Sequence, residues 1–328
     1  MVEQIEPGPN RPYAMLVADR AATIVDISAA TIEALYKAHG ALLLRGFEVD
    51  VELLGQFADR MCVTAMPNRG ALRRMLDPSH NIQTAAAGVQ PFPLHPELSR
   101  EPWRPDIAMF ACLTPPSAGG ETLICDGIAL AAALPAPVHQ AFAGRRLRYI
   151  YAAAPEVLDY WLGTPAPSDA ELAAPPPGCP FAFTRMDGRI MREFSRPALH
   201  KPMFADELAF ANFLLFARYA SGLTLVPVFE DGSPIPAALA EVVRVTGNRL
   251  SAPIPWQAND LLLLDNSRFM HGRNAITDED ERRIISYFGY LRFAMPDAEE
   301  PADPVWRRPG FNPPVAATAR TDATAAAD

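Results

Sequence analysis

The stretch Phe92-Pro-Leu-His-Pro-Glu-Leu-Ser99 places a histidine and a glutamate one residue apart, at His95 and Glu97. In an extended strand, side chains at i and i+2 point to the same face, so the imidazole and the carboxylate would project into one space. Two histidines and one carboxylate on one face form the ligand set of non-haem Fe(II) oxygenases. The stretch therefore predicts part of a metal site that needs a second histidine.

The composition describes an acidic chain without a charged or apolar targeting segment. The 328 residues, 49% of them apolar, suffice for one large domain or two modest ones. A net charge of -9 and a pI of about 5.2 give no electrostatic reason to bind nucleic acid or an anionic membrane. The chain has neither a signal-peptide pattern nor an apolar run of about 20 residues, which predicts a soluble cytoplasmic protein without membrane partners. Its four cysteines form no Cys-x-x-Cys pair and are expected to be reduced.

Hydrophobic periodicity predicts helices joined to many short strands. The predicted helices cover residues 28–39, 51–61, 127–142 with an interruption, 206–219 and 236–246, and the clearest strands lie at 41–47, 107–113 and 282–293. Strands with turn signals are spread along the chain without regular β–α alternation. This pattern predicts an α+β, mainly β, fold with a mostly antiparallel core and flanking helices.

The domain organisation is predicted from shifts in composition. Residues 1–15 read as an irregular N-terminal arm, 16–297 as a single domain, and 298–328 as a C-terminal tail that is disordered at its end. The Pro/Ala-rich segment 154–181 is a long connection of the kind that is usually functional or disordered. It is interpreted as a lid over a site, and the alternative is a surface loop with no role.

The second histidine can be sought among only six. His271 follows LLLLDNSRFM (261–270), which reads as a buried strand that runs into a turn, and it precedes Gly272. A histidine in such a context is, taken alone, more often structural. The other histidines outside the opening stretch lie in helical or polar contexts and have no acidic residue at i+2: His39, His80, His139 and His200.

An arginine doublet follows His271 at the start of the last strand. Strand parity puts Arg283 on the same face as Tyr287, and Arg282 on the same face as Ser286. An arginine at this point could clamp a carboxylate with two parallel hydrogen bonds, or it could be a solvated charge that pairs with the acidic residues 278–281. The doublet allows both, because one arginine faces in and the other faces out.

Four segments in order resemble a known enzyme family. HPELS (95–99), IAMFACLTPPSAGGETLICD (107–126), LLLLDNSRFMHGRNAI (261–276) and the arginine doublet resemble the Fe(II)/2-oxoglutarate-dependent dioxygenases of the taurine dioxygenase (TauD/TfdA), clavaminate synthase-like family. GALLLRGFEVD (40–50) looks like the N-terminal strand of that family. The resemblance covers most of the chain.

The resemblance implies a double-stranded β-helix, also called a jelly roll or cupin-like fold. It implies Fe(II) held by His95, Glu97 and His271, with 2-oxoglutarate and O2 as cosubstrates. It also implies that Arg283 and the hydroxyl of Thr122 hold the far carboxylate of 2-oxoglutarate. The glycines before Thr122 permit close backbone approach, and a hydroxyl can donate to a carboxylate.

Three residues refine what the resemblance implies. Pro96 lacks a backbone donor, which predicts a sheet edge or bulge between the ligands. Family members that act on sulfonates carry an arginine four residues beyond the cosubstrate arginine, and Tyr287 at that position disfavours a sulfonate. Family halogenases have a small residue in place of the carboxylate ligand, so Glu97 favours hydroxylation, desaturation or cyclisation.

The substrate stays open at the level of sequence. A free amino acid, a carrier-protein-tethered aminoacyl group and another natural-product intermediate are all candidates, with Arg192 and Tyr287 as candidate pocket residues. Two other classes compete: a metal-dependent hydrolase or isomerase on a similar β core, and a non-catalytic metal-binding homologue. The oligomeric state is not predicted.

Overall fold

The computed structural model describes residues 2–66, 68, 70, 72–220, 226–277, 282–295, 297–312 and 314. The strands in these ranges are β1 (Val2–Ile5), β2 (Ala14–Ala18), β3 (Ala41–Arg45), β4 (Cys62–Ala65), β5 (Met75–Asp77), β6 (Ile82–Thr84), β7 (Phe92–His95), β8 (Ile107–Thr114), β9 (Thr122–Asp126), β10 (Arg146–Ala152), β11 (Ala182–Met186), β12 (Arg189–Pro197), β13 (Val228–Phe229), β14 (Ala252–Pro253), β15 (Leu261–Asp265), β16 (Phe269–Arg273) and β17 (Arg283–Leu291). The helices are α1 (Ala29–His39), α2 (Val51–Met61), α3 (Gly127–Ala133), α4 (Ala136–Phe142), α5 (Pro155–Leu162), α6 (Asp169–Ala173), α7 (Leu214–Tyr219) and α8 (Ala237–Leu250).

Two sheets enclose the centre of the molecule. The major sheet has the order β1-β2-β3-β15-β8-β17-β6-β5, with β4 also paired to β17, and the minor sheet has the order β14-β9-β16-β7. Every named strand pair is antiparallel except β2 with β3. The predicted mainly β fold with an antiparallel core, the double-stranded β-helix, is confirmed. A third sheet, β11-β12-β10-β13, lies beside them.

The leucine run of β15 shows why the major sheet is buried on both faces. Leu262 and Leu264 pack in the apolar cluster between the sheets, which also contains Ile124 of β9. Leu261 and Leu263 point the other way and pack in the cluster that includes α1 and α2. A strand whose first four residues are all leucine is therefore covered on each face, here by a sheet and by helices.

Four helices cover the outer face of the minor sheet. Leu94 of β7 and Met270 of β16 pack there with buried side chains of α3, α4, α7 and α8. Because neighbouring side chains on a strand point to opposite faces, burying Leu94 and Met270 outside turns His95 and His271 inwards. The helix layer thus fixes the direction of both histidines.

Three regions differ from the sequence-based expectations. The supposed irregular arm contains β1, which pairs with β2 at the edge of the major sheet; its polar side chains suit an edge strand. The predicted helix 206–219 is helical only in α7, because the amides of Ala209 and Phe210 donate to the carbonyls of His200 and Gly127. Tertiary hydrogen bonds have replaced the first half of that helix.

The C-terminal region also differs from the predicted tail. Trp306 is buried, and the Arg307 guanidinium forms two hydrogen bonds to the Asp106 carboxylate at 2.7 and 2.8 Å. Residues 298–312 therefore pack on the domain, because a buried aromatic ring and a bidentate ion pair anchor them. The predicted disordered end, beyond residue 314, lies outside the described residues.

The Pro/Ala-rich segment 154–181 contains α5 and α6. Trp161 of α5 stacks on Trp103 with ring centroids 6.2 Å apart, and Phe181 packs edge-on against both rings. The segment is thus anchored by an aromatic cluster, and a lid role stays a prediction. Within the described ranges, no helix has the length and apolar character that crossing a bilayer requires.

Candidate metal centre

The two histidines meet across the edge of the minor sheet. His95 on β7 and His271 on β16 are direct partners in the antiparallel register, and their ring centroids lie 4.5 Å apart. Gly272 permits this approach, because a Cβ there would lie 2.7 Å from the carbonyl oxygen of Phe92. The strand β7 is an edge strand of the minor sheet, and Pro96 directly follows it, which agrees with the sheet edge expected from Pro96. The register shift between β7 and β16 lies before His95 and not between the ligands.

Glu97 reaches the site from a turn, not from the strand. β7 ends at His95, so the argument from strand alternation is wrong for Glu97. The buried side chain of Asn266 holds the turn instead: its Oδ1 accepts from the Glu97 amide at 2.7 Å, and its Nδ2 donates to the Glu97 carbonyl at 2.9 Å. Leu98, the next residue, has a left-handed φ of 51°, a conformation that the surrounding packing must impose.

The three side chains offer one ligand atom each in a small space. The donor atoms of His95, Glu97 and His271 all lie within 4.8 Å of one another, and Nε2 of His271 is 3.7 Å from Oε2 of Glu97. The Nδ1 of His95 donates to the Pro93 carbonyl at 2.8 Å, which leaves Nε2 as the ligand atom. Burial lowers the pKa of both imidazoles, so both stay neutral, as metal ligands must be. The donor set therefore fits a divalent iron ion.

Both oxygens of the Glu97 carboxylate have further partners. Asn68 Nδ2 donates to Oε1, and Arg73 Nη2 donates to Oε2 at 3.2 Å. The other terminal nitrogen of Arg73, Nη1, donates to the hydroxyl of Ser286 at 2.9 Å. These contacts from protein side chains alone fix the orientation of the carboxylate.

Aromatic rings form two walls of the centre. The ring centroid of Phe216, on α7, is 4.3 Å from that of His95, and Phe110, on β8, is 4.9 Å from that of His271. Phe213 meets the His95 ring edge-on at 5.9 Å. Apolar walls of this kind exclude water and strengthen electrostatic interactions inside the site.

A second group of polar residues lies near the far end of β16, two residues beyond His271, and at the start of the neighbouring strand β9. Thr122 on β9 is the register partner of Arg273, and its hydroxyl accepts from the Trp256 indole at 3.1 Å. Arg282 stretches over Gly120 and donates from Nε to the Gly120 carbonyl at 2.9 Å. Burial, with the nearby Arg273 cation as a smaller cause, lowers the pKa of Arg282 to about 10. These two cations favour an anion at this place.

The two faces of β17 show which arginine of the doublet points towards the space between the sheets. Ile284 and Phe288 pack between the sheets, and Arg282 precedes them on the same parity. Arg283 is exposed, and Tyr287 packs with α1 and α2 on the outer face. The expected places of Arg283 in the cosubstrate site and of Tyr287 in the substrate pocket are thus corrected, because both side chains point away from the metal ligands.

Arg192 also lies elsewhere than expected. Its guanidinium forms a buried, bidentate ion pair with Glu101 at 2.6 and 2.8 Å, between the rings of Tyr151 and Phe181. This partner satisfies the terminal nitrogens of Arg192, so its placement supports a structural role and not substrate binding. An open cleft of about 750 Å³ between β7 and the helices α7 and α8 contains none of the three metal ligands.

Sequence reasoning missed three residues that touch Glu97. Asn266 directly follows the strand LLLLD, and this position next to a predicted buried strand was the one feature of the sequence that could have marked it as a site residue. Asn68 and Arg73 lie in a weakly periodic segment far from Glu97 in the chain, and no local pattern marks them. Their roles depend on long-range contacts.

Comparisons with known proteins agree with the geometry. Residues 15–287 match the family described as "Taurine catabolism dioxygenase TauD, TfdA family". PvcB from Pseudomonas aeruginosa is similar over 88% of this chain and 90% of its own, with 16% identity and a TM-score of 0.56. A taurine dioxygenase from Burkholderia xenovorans is similar over 88% of this chain and 89% of its own, with 14% identity and a TM-score of 0.55.

AAD-2 in complex with Mn(II) and N-oxalylglycine is similar over 89% of this chain and 97% of its own, with 12% identity and a TM-score of 0.54. At such identities, the likeness to solved structures shows the jelly-roll fold alone. No curated protein sequence matches the chain. The family match spans most of the chain and includes His95, Glu97 and His271, whose donor atoms converge. The chain therefore belongs to the TauD, TfdA family and is a dioxygenase that depends on Fe(II), 2-oxoglutarate and O2.

Proposed function

We propose that the enzyme hydroxylates, desaturates or cyclises a small molecule, with Fe(II) bound by His95, Glu97 and His271. The observation that carries this proposal is the convergence of the three donor atoms within 4.8 Å in a buried site. The bound iron and 2-oxoglutarate would supply the activation of O2, with succinate and CO2 as coproducts. A carboxylate at position 97 supports oxygenation over halogenation.

Arg282 is the proposed clamp for the far carboxylate of 2-oxoglutarate, in place of Arg283. Its side chain is largely buried, shares the inward parity of β17 and has no carboxylate partner among the described residues. Thr122 keeps its proposed role, because its buried hydroxyl lies next to Arg273 in the register. His271 and Arg273 are two residues apart on one strand face, about 7 Å, a distance that a five-carbon diacid can span.

The protein supplies position and a dry environment. Asn68 and Arg73 orient the Glu97 carboxylate, and Asn266 holds the backbone that carries it. The rings of Phe216 and Phe110 pack against the two histidines and keep water from them. None of these residues needs to exchange a proton during turnover, so their contribution is preorganisation.

The substrate is proposed at the level of class. PvcB is described as an oxygenase from an isonitrile synthetic pathway, and this likeness supports a natural-product intermediate or an amino acid. The position four residues beyond Arg282 is Ser286, which offers no cation of its own to a sulfonate. A free or a carrier-tethered substrate is compatible with these observations.

An anaerobic titration tests the proposal. Fe(II) and 2-oxoglutarate added to the wild-type protein should produce the charge-transfer band of the chelate. Glu97→Ala should abolish the band, and Glu52→Ala, an exposed carboxylate on α2, should leave it unchanged. A missing band in the wild type, or an unchanged band in Glu97→Ala, would contradict the ligand assignment. Substrate turnover without succinate release would favour a hydrolase or isomerase.

A further inference from the structure

Arg307 and Asp106 form a largely buried ion pair beneath the C-terminal segment, residues 298–312. The side chain of Arg307 is 19% exposed and that of Asp106 is 4% exposed. Nη1 and Nη2 of Arg307 donate to the two carboxylate oxygens of Asp106 at 2.7 and 2.8 Å. Glu300 accepts from Nε and Nη2 of the same guanidinium at 3.0 and 2.8 Å. Within the described ranges, Arg307 is the one cation that pairs with Asp106.

The backbone of Asp106 supports the metal centre. Its carbonyl oxygen accepts from the Asn266 amide at 2.9 Å. The carbonyl of Pro105 accepts from Nδ2 of the Asn266 side chain, also at 2.9 Å. The same side chain binds the amide and the carbonyl of Glu97 at 2.7 and 2.9 Å. Asn266 is thus fixed between the backbone of Pro105 and Asp106 on one side and the turn that carries Glu97 on the other.

The C-terminal segment also packs near the residue that follows Glu97. Leu98, with its left-handed φ of 51°, lies in one buried apolar cluster with Trp103 and Trp306. The ring centroid of Phe311 is 5.7 Å from that of Trp103. A leucine keeps this backbone conformation only where the surrounding packing imposes it. The segment therefore adjoins the Glu97 turn through apolar packing as well as through the ion pair.

Losing the Arg307 cation would disturb this support. Burial raises the pKa of the Asp106 carboxyl, and the hydrogen bonds from Arg307 act against that effect. Without the cation, the carboxylate must move towards solvent or bind a proton, because an unpaired buried charge is costly. The Asp106 amide donates to the Gly289 carbonyl and its side chain accepts from the Leu291 amide, both at 2.9 Å. Side chain and backbone are tied to the same strand, so a shift of the carboxylate reaches the peptide that binds Asn266.

We propose that Arg307 is a positioning residue of the metal centre, which holds Asp106, through it Asn266, and so the turn that carries Glu97. The proposal rests on the ligand assignment proposed above. Coupling between two parts of a protein is reciprocal. A metal bound by the three ligands should therefore stabilise the docked C-terminal segment, although the segment supplies none of them.

Hydrogen exchange of the metal-free protein, followed by mass spectrometry, is the first test. In Arg307→Met, the amides of residues 97–101 should exchange at least about tenfold faster than in the wild type, because a buried carboxylate loses its charged partner. Residues 261–265 of β15, a strand paired on both sides, report on global unfolding. The increase at 97–101 should exceed that at 261–265. Equal increases would show that Arg307 supports only the fold and would overturn the proposal.

Mn(II) titration is the second test. Arg307→Met should raise the dissociation constant of Mn(II) at least about fivefold, and saturating Mn(II) should slow exchange at residues 304–311 of the wild type. Arg307→Lys keeps the charge without the planar fork, so its affinity should lie between those of the wild type and Arg307→Met. Arg308→Met removes an exposed cation that pairs with Asp303, and it should leave the affinity unchanged.

Glu300→Gln is a milder variant that keeps the test open if Arg307→Met does not fold. Glu300 accepts from Arg307 and, at 3.0 Å, from the Trp306 indole, so the substitution weakens the docking of the segment and leaves the cation in place. It should also speed exchange at 97–101. If the wild type does not bind Mn(II), the ligand assignment fails and exchange at 97–101 alone decides on Arg307. If Mn(II) binds but leaves 304–311 unchanged, and both variants keep the affinity of the wild type, the positioning role is overturned and the oxygenase function stands.

Discussion

His95 and His271 are direct partners across the antiparallel pair β7 and β16, with ring centroids 4.5 Å apart. Directly opposite residues on neighbouring strands have close side chains, so the register of one strand pair sets the spacing of the two proposed metal ligands. A slip of one residue would turn one imidazole to the outer face. The metal centre therefore depends on the backbone of this edge.

Gly272→Ala should damage the centre without touching a ligand. The new Cβ would lie 2.7 Å from the Phe92 carbonyl, so β16 and β7 must separate. We expect a loss of about 1–3 kcal/mol in the free energy of unfolding, measured by urea titration, and weaker Fe(II) binding. Gly8→Ala, where a Cβ meets nothing within 4 Å, is the control. Unchanged Fe(II) affinity in Gly272→Ala would show that the register is not critical.

Asn266→Ala should loosen the turn that carries Glu97. It removes the partners of the Glu97 amide and carbonyl, and each buried group left unpaired costs about 1–3 kcal/mol. Both the free energy of unfolding and the Fe(II) affinity should fall. Asn274→Ala, which removes an exposed hydrogen bond to Glu121, should change neither. Equal effects of the two substitutions would refute the role of Asn266.

The two arginines of the doublet should differ in their effect on 2-oxoglutarate. Arg282→Met removes the partly buried cation and should raise the dissociation constant for 2-oxoglutarate at least about tenfold, as expected for a charge-assisted hydrogen bond. Arg283→Met removes an exposed charge and should leave the constant nearly unchanged. The charge-transfer band at increasing 2-oxoglutarate gives both values. A larger effect from Arg283 would restore the original sequence-based assignment.

His200 should make the protein less stable as the pH falls. Burial, and next the Arg104 cation, lower the pKa of His200 to about 3, while Nε2 donates to the Ser267 carbonyl. Below the usual pKa of about 6.5, the unfolded chain binds a proton that the folded protein does not, so stability falls from about pH 6.5 towards pH 3. The slope contributed by this group is at most about 1.4 kcal/mol per pH unit.

Urea unfolding between pH 7 and pH 5 measures this dependence. His200→Gln should make the curve less steep, because the amide can still donate to Ser267 but does not titrate. The slope that remains comes in part from His95 and His271, whose pKa burial also lowers. His139→Gln on α4 should keep the slope of the wild type. A His200→Gln curve parallel to that of the wild type would show that His200 does not contribute to the slope.

The sequence predicted the fold, and it singled out the three side chains that the structure brings together, because both leave local marks. The leucine run of β15 and the scattered short strands indicated a β core. The His-x-Glu spacing and the position of His271 after that run pointed to three candidate ligands, although His271 lies in the middle of β16 and not at the end of the leucine strand. The reason offered for Glu97 was wrong, since a turn held by Asn266 carries it. The arm and the helix 206–219 were wrong where tertiary pairing overrode local preference.

The amino-acid sequence by itself determined which residue types are available to bind a metal and which strands carry them. Only the tertiary structure decided that Arg282 faces inwards while Arg283 faces solvent, because strand parity gives two faces without saying which one is covered. It alone also brought Arg73 to Glu97 and Ser286, since a contact between residues far apart in the chain depends on packing and leaves no local pattern.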